Sequence, residues 1–228
     1  MRIQKYLSKH KICSRREAET YIKMGLIKLN GVVIRDLGRQ IDPSIDKVEL
    51  LNLPPSLASK KITIAVNKPK NIVCSKNSTE GKTIFELLPK FAHLNTVGRL
   101  DKASEGLILL SNDGTVTNAV TGDKHTVEKE YEVMVRETIR PNHIQKIETG
   151  MMLDDGPTLP ARAKMLAPHL IQIVLKEGRK HQIRRMLAEL NLTIEKLRRV
   201  RVGNIILGDL NIGEYRQLTD KELSFLKK

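Results

Sequence analysis

The chain has 228 residues, enough for one medium domain and a small one. Lys and Arg number 40 against 26 Asp and Glu, and the formal net charge of +14 favours a polyanionic partner, nucleic acid being the commonest. Aromatic residues make up only 3% and Trp is absent, which argues against a reader that stacks many single-stranded bases on aromatic platforms.

The first 48 or so residues parse as a small module. Ile3, Tyr6 and Leu7 give a short helix. Ser14 followed by Glu17 is a capping box, in which the serine hydroxyl takes one amide of the first turn and the glutamate reaches back to another. Ala18, Tyr21 and Ile22 repeat at helical spacing, and Gly25 suits the left-handed residue after a helix. Asn30-Gly31 between the apolar runs Ile27–Leu29 and Val32–Ile34 predicts a hairpin, because a type I′ turn needs positive φ twice. Two helices and a hairpin result. Residues 1–50 hold eleven basic and six acidic side chains, and Arg15, Arg16 and Lys23 are candidates for an RNA grip. Pro54, Pro55, Ser56 and Ser59 break both periodicities, so a linker is expected over 50–60. This divides the chain into residues 1–49, the linker, and residues 61–228.

The second unit mixes strands and helices. Strands are expected at Ile62–Val66, Leu107–Leu110, Tyr131–Val135, Leu170–Leu175, Leu197–Val202 and Ile205–Leu207. Helices are expected at Thr83–Leu88, from Pro141 to the stop at Gly150, over Arg179–Leu190, and after a cap at Thr219–Glu222. Asn112-Asp113-Gly114 is read as a turn. Strict β-α-β alternation is lacking, so the fold class is α+β with a largely antiparallel sheet.

Several chemistries are set aside. Cys13 and Cys74 lie far apart, with no C-x-x-C, and form neither a disulfide framework nor a zinc site; a reducing cytosol fits. Six scattered histidines show no H-x-x-x-H pair, so no metal is expected. Gly81-Lys82-Thr83 imitates the end of a phosphate-binding loop, but Lys76 stands where that loop needs its first glycine. No apolar run approaches the roughly 20 residues that cross a bilayer, and the basic N-terminus lacks the apolar stretch of a secretory signal. A cytoplasmic protein is expected.

Two runs carry the chemistry. Val97-Gly98-Arg99-Leu100-Asp101-Lys102-Ala103-Ser104-Glu105-Gly106-Leu107 sets one aspartate in a glycine-bounded loop, with Arg99 and Lys102 favouring its ionised form. Glu177-Gly178-Arg179-Lys180-His181-Gln182-Ile183-Arg184-Arg185-Met186 sets arginines at the start of a helix. An ionised carboxylate with a distant arginine suits attack on, or stabilisation of, a glycosidic centre. Taken alone, Asp101 reads more readily as a turn aspartate with a structural hydrogen bond. Between Lys176 and Arg201 nine basic residues face three acidic ones.

These runs, with Asn67-Lys68-Pro69, Lys129-Glu130-Tyr131 and Gly213-Glu214-Tyr215-Arg216, resemble the RsuA-type family of ribosomal RNA pseudouridine synthases. The front module is similar to the S4 RNA-binding domain. Asn71 stands where the family commonly has glycine, and Asn tolerates left-handed φ. The resemblance implies isomerisation of a uridine to pseudouridine in ribosomal RNA, large-subunit RNA being favoured over small-subunit RNA, with no cofactor. Asp101 would open the glycosidic bond, Tyr131 would take a proton late, and Arg184 would hold Asp101. Arg15, Arg16, Lys23, Lys68, Arg99, Arg179, Lys180 and Arg185 would contact RNA, and His181 is divided between RNA contact and a structural bond. The partner would be ribosomal RNA or a pre-ribosomal particle, met by a monomer. A non-catalytic ribosome-assembly factor on the same fold is the alternative.

Overall fold

The computed structural model describes residues 1–10, 12–52, 60–122 and 127–227. Most of the expected linker lies outside the described residues, as does Lys11.

The front module holds α1 (Ile3–Lys9), α2 (Arg15–Lys23), β1 (Ile27–Leu29), β2 (Val32–Ile34) and a third strand, β3 (Val48–Leu50). The capping box is formed: Ser14 N–H donates to Glu17 Oε2 at 2.7 Å and Glu17 N–H to Ser14 Oγ at 3.2 Å. Gly25, Asn30 and Gly31 all take positive φ, as the helix stop and the hairpin turn require. β1 is central, paired antiparallel with β2 and with β3, so the two-helix-and-hairpin reading lacked one strand, which runs one residue past position 49. Ile3, Leu7, Ala18, Ile22 and Ile27 close the module's own core.

The second unit runs through β4 (Thr63–Lys68), α3 (Ile84–Leu87), β5 (Asn95–Val97), β6 (Glu105–Ser111), α4 (Gly114–Thr121), β7 (Lys129–Val135), α5 (Pro141–Thr149), β8 (Met152–Leu153) and β9 (Gly156–Pro157). It continues with β10 (Arg162–Ala167), β11 (Leu170–Leu175), α6 (Gln182–Glu189), β12 (Ile194–Val202), β13 (Ile205–Ile206), β14 (Tyr215–Gln217) and α7 (Asp220–Lys227). The main sheet is ordered β10-β11-β7-β12-β6-β4-β14, with β5 and β13 paired at its margins. Every neighbour pair among the described strands is antiparallel except β12 with β6. The α+β reading with a largely antiparallel sheet therefore holds.

Two expectations change. Asn112-Asp113-Gly114 is not a free turn: Asp113 accepts from the Thr115 amide and caps α4, whose Val116 and Val120 are buried. α6 begins at Gln182 rather than Arg179, because His181 takes a left-handed conformation (φ 52°) that a helix cannot contain.

The parallel contact of β12 with β6 rests on one residue. A methyl group on Gly106 would stand 2.3 Å from the Arg199 carbonyl oxygen and 2.8 Å from its nitrogen, and the φ of Gly106 is +101°. Only glycine lets the two backbones meet there. The front module also touches this unit directly. Arg16 donates to Asn95 Oδ1 at 2.7 Å, and Lys61 pairs with Glu17 at 2.6 Å.

Candidate active site

The loop between β5 and β6 carries Asp101 over the sheet face. Its shape is held from several sides. The Ser104 amide donates to the Asp101 carbonyl at 3.0 Å, and the Asn71 amide to the Lys102 carbonyl at 2.7 Å. Asn71 has φ 69°, the conformation its position was expected to need. Gly98 turns with φ 73°.

The first turn of α6 meets this loop. Arg184 Nε lies 3.6 Å from Asp101 Oδ2, and its terminal nitrogen donates to Ser104 Oγ at 3.0 Å. Two segments 83 positions apart thus converge on one carboxylate. His181 Nε2 stands 3.5 Å from the other oxygen, Oδ1. Asp101 is partly exposed and Ser104 is buried, so the guanidinium is fixed on a buried hydroxyl while it reaches the carboxylate.

These groups line a cleft of about 900 Å³. Its walls include Asp101, Ser104, Tyr131, His181, Arg184 and Arg199. Tyr131 comes from β7, opposite Ile173 of β11 and Arg199 of β12, and packs against two of the hydrophobic clusters. Asp101, Tyr131 and Arg184 therefore share one cavity. Among the described residues no group of three or more His, Cys, Asp or Glu is arranged to hold a metal ion.

The eight expected RNA contacts divide. Arg15, Arg16 and Lys23 are exposed on α2, and Arg99 and Lys180 are exposed on the cleft wall. Lys68 is corrected. It is wholly buried at the end of β4, inside the sheet, and its ammonium donates to the Pro69 and Ile72 carbonyls at 2.9 and 2.8 Å. Burial pushes its pKa below the usual lysine range. It braces the floor of the site and cannot reach a phosphate.

Arg179 and Arg185 are partly exposed and already carry acidic partners. Arg179 donates to Glu177, to Asp155 and to the Gly156 and Pro157 carbonyls. Arg185 binds both Asp154 and Asp155. Hydrogen bonds from Arg185, then from Arg179, hold the Asp155 carboxyl below its ordinary range. These guanidinia tie the β8–β9 hairpin to α6. Sequence reasoning did not place His181 beside Asp101; its position inside the arginine-bearing run was the available signal. It also passed over Lys129 and Arg199 as lining residues.

Comparison with known proteins bears on the same residues. The family model for RNA pseudouridylate synthase matches residues 62–189, and the S4 domain model matches residues 1–44. The chain is 36% identical over 229 residues to the dual-specificity RNA pseudouridine synthase RluF of Escherichia coli (strain K12), covering all of this chain and 79% of that protein. It is 31% identical to ribosomal large subunit pseudouridine synthase B of Bacillus subtilis (99% and 95% covered). It is 30% identical to ribosomal small subunit pseudouridine synthase A of Haemophilus influenzae, each chain covered in full. A crystal structure of a pseudouridylate synthase superposes with a TM-score of 0.74 at 29% identity, over 99% of both chains.

Proposed function

The chain belongs to the RNA pseudouridylate synthase family, and from that premise we propose that it isomerises a uridine of ribosomal RNA to pseudouridine at the cleft around Asp101. The observation that carries the proposal is the convergence of Asp101 and Arg184 in one cavity with Tyr131. Relatives acting on large- and small-subunit RNA are similar to the same extent, and large-subunit RNA is the first substrate to test.

The reaction breaks the bond from C1′ to N1 and forms one from C1′ to C5. The proton lost at C5 is balanced by one gained at N1, so substrate and product have the same composition and no redox partner enters. Asp101 starts cleavage, by attack at the sugar or by removing a proton from it. Arg184 orients the carboxylate through a guanidinium fixed on Ser104. Tyr131 receives the C5 proton after the base has turned; a phenol with an ordinary pKa of about 10 needs its surroundings to help it do so. The target must leave its stack to reach the cleft, at a cost of a few kcal/mol. Residues 1–49 supply an RNA-binding module and residues 61–228 the catalytic unit, working in the cytoplasm as one copy that provides the whole site. Among the described residues no helix is long and apolar enough to cross a membrane.

The test is Asp101→Asn. Purified protein should convert uridine in ribosomal RNA without added cofactor, and the variant should lose turnover while it still binds RNA. Mass-spectrometric mapping of ribosomal RNA from cells with and without the protein identifies the position. Full turnover by the variant would remove Asp101 from its role.

A further inference from the structure

Two cations in the cleft take no part in the reaction as described. Lys129 opens β7 and Arg199 lies near the end of β12, and both line the cavity. Lys129 is 8% exposed and Arg199 is 5% exposed. They are neighbours: Arg199 stands opposite Tyr131 in the register, and Lys129 precedes Tyr131 by two on the same face of β7.

Among the described residues neither has an acidic partner. Among the described residues the Lys129 ammonium makes no hydrogen bond or ion pair, and Arg199 gives only its Nε–H, to the Leu107 carbonyl at 2.7 Å. Among the described residues its two terminal nitrogens bind nothing, and Arg199 itself lines the cavity. Burial, and then the charge of Arg199, push the Lys129 pKa below the ordinary lysine range, with no carboxylate opposing them. Arg199 is also clamped. Its backbone lies against Gly106 and its side chain is fixed on Leu107.

Two desolvated cations side by side, with unbonded donors and both residues lining a cavity, are unfavourable unless an anion completes them. We propose that Lys129 and Arg199 form an anion subsite that takes a phosphodiester of the RNA strand next to the target uridine. This rests on the activity proposed above. A phosphodiester fits better than a uracil carbonyl, because it carries a full charge in every state of the reaction, whereas the carbonyl carries one only while the base is detached. The subsite therefore acts in substrate binding. Its walls continue through Val97, Gly98 and Thr121, and Arg99 and Lys180 stand on the cleft wall to lead the strand in.

The test uses the full chain and a ribosomal RNA fragment that the wild type binds. Lys129→Met removes the charge at nearly constant volume, and Lys129→Arg retains it. Arg199→Lys keeps a charge without the fork, so that a failure of Arg199→Met to fold does not decide the matter. Lys129→Met should raise Kd and KM by about tenfold or more, the size of one lost charge-assisted hydrogen bond, with the loss falling on KM rather than kcat; Lys129→Arg should restore most of it. A methylphosphonate scan of the fragment should find one neutral linkage that weakens the wild type by a similar factor and leaves Lys129→Met unchanged. Equal affinity of wild type and Lys129→Met overturns the subsite. So does a loss confined to kcat, which would assign the cations to charge developing on the base, and so does a linkage that weakens both proteins equally. Product formation by the wild type is read separately. Its absence would refute the activity, while the binding comparison still decides the subsite.

Discussion

Gly106→Ala tests the contact that joins the catalytic loop to the rest of the sheet. The added methyl would meet only backbone atoms, at 2.3, 2.8 and 3.0 Å from the oxygen, nitrogen and carbonyl carbon of Arg199. No side chain can swing aside. Relief requires β12 to move away from β6 or Gly106 to abandon φ +101°. Backbone strain of this kind costs about 1–3 kcal/mol, and overpacking a tight site adds about 1–3 kcal/mol. The expected loss is therefore about 2–6 kcal/mol, a large share of the roughly 5–15 kcal/mol that holds a domain folded. At about 2–4 °C per kcal/mol for a chain of this size, a loss near the middle lowers Tm by about 8–16 °C. Denaturant titration reads the loss as a lower midpoint at constant slope. Gly178→Ala is the control, since nothing lies within 4 Å of its added Cβ and its φ is not positive; it should stay within about 0.5 kcal/mol of wild type. A Gly106→Ala protein within about 1 kcal/mol of wild type would refute the reasoning, because it would mean the β6–β12 approach yields freely.

Three further outcomes are expected. Ser14→Ala should cost about 1 kcal/mol through loss of the α2 cap, measured by denaturant titration, and Ser14→Asn should recover most of it. Acid should destabilise the protein through Glu222 and Glu17. The Arg216 hydrogen bond lowers Glu222, while for Glu17 burial raises the pKa but is outweighed by the bonds from Lys61 and Ser14. Both folded values lie below the unfolded ones, so the unfolded chain binds more protons in between; the stabilisation is whole above about pH 4.5 and is lost as pH falls through the lowered values. Thermal melts from about pH 7 to 3 should show this, with a shallower fall in Glu222→Gln. Burial and then Glu17 push the Cys13 thiol up to about 11, and burial raises Cys74. At about pH 8 a thiol reagent should therefore label the folded protein some two orders of magnitude more slowly than a free cysteine, and labelling as fast as the denatured chain would contradict it.

What was legible in the sequence depended on where the determining contacts lie. The α2 cap, the Asn30-Gly31 turn, and the helix from Pro141 to Gly150 are fixed by neighbours within a few positions, and each stands as expected. α4 was hidden because Thr115, Val116, Thr117, Val120 and Thr121 are β-branched, poor helix formers; burial of Val116 and Val120 overrides that preference. β3 was hidden because its partner, β1, lies about twenty residues earlier. In the site, the aspartate and its arginine were legible as motifs, yet Lys68 was misassigned and the acidic partners of Arg179 and Arg185 were not foreseen. Lys68 follows Asn67 and precedes Pro69, which reads as a loop, but β4 sits between β6 and β14 and every residue of it is buried. Arg179 and Arg185 find their acids in Asp154 and Asp155, on a hairpin that no local signal connects to them.

The basic surplus therefore has more than one use. Inside the sheet, Lys68 braces the floor and Arg199 ties β12 to β6. Arg179 and Arg185 fasten the β8–β9 hairpin, and Arg201 pairs with Glu128 and Glu130. Of the expected RNA contacts, those left exposed form two groups: Arg15, Arg16 and Lys23 on the front module, and Arg99 and Lys180 at the cleft. Neither group is large enough to supply a strong grip alone, since each phosphate neutralised contributes a modest share of binding. In the proposed RNA complex, joining them on one chain lets each raise the effective concentration of the other along the strand. The contacts of Arg16 with Asn95 and of Glu17 with Lys61 set the two groups in a common frame. Asn95 is neutral, so among the described residues Arg16 docks the module without a carboxylate to compensate its charge, as its proposed role at a phosphate requires.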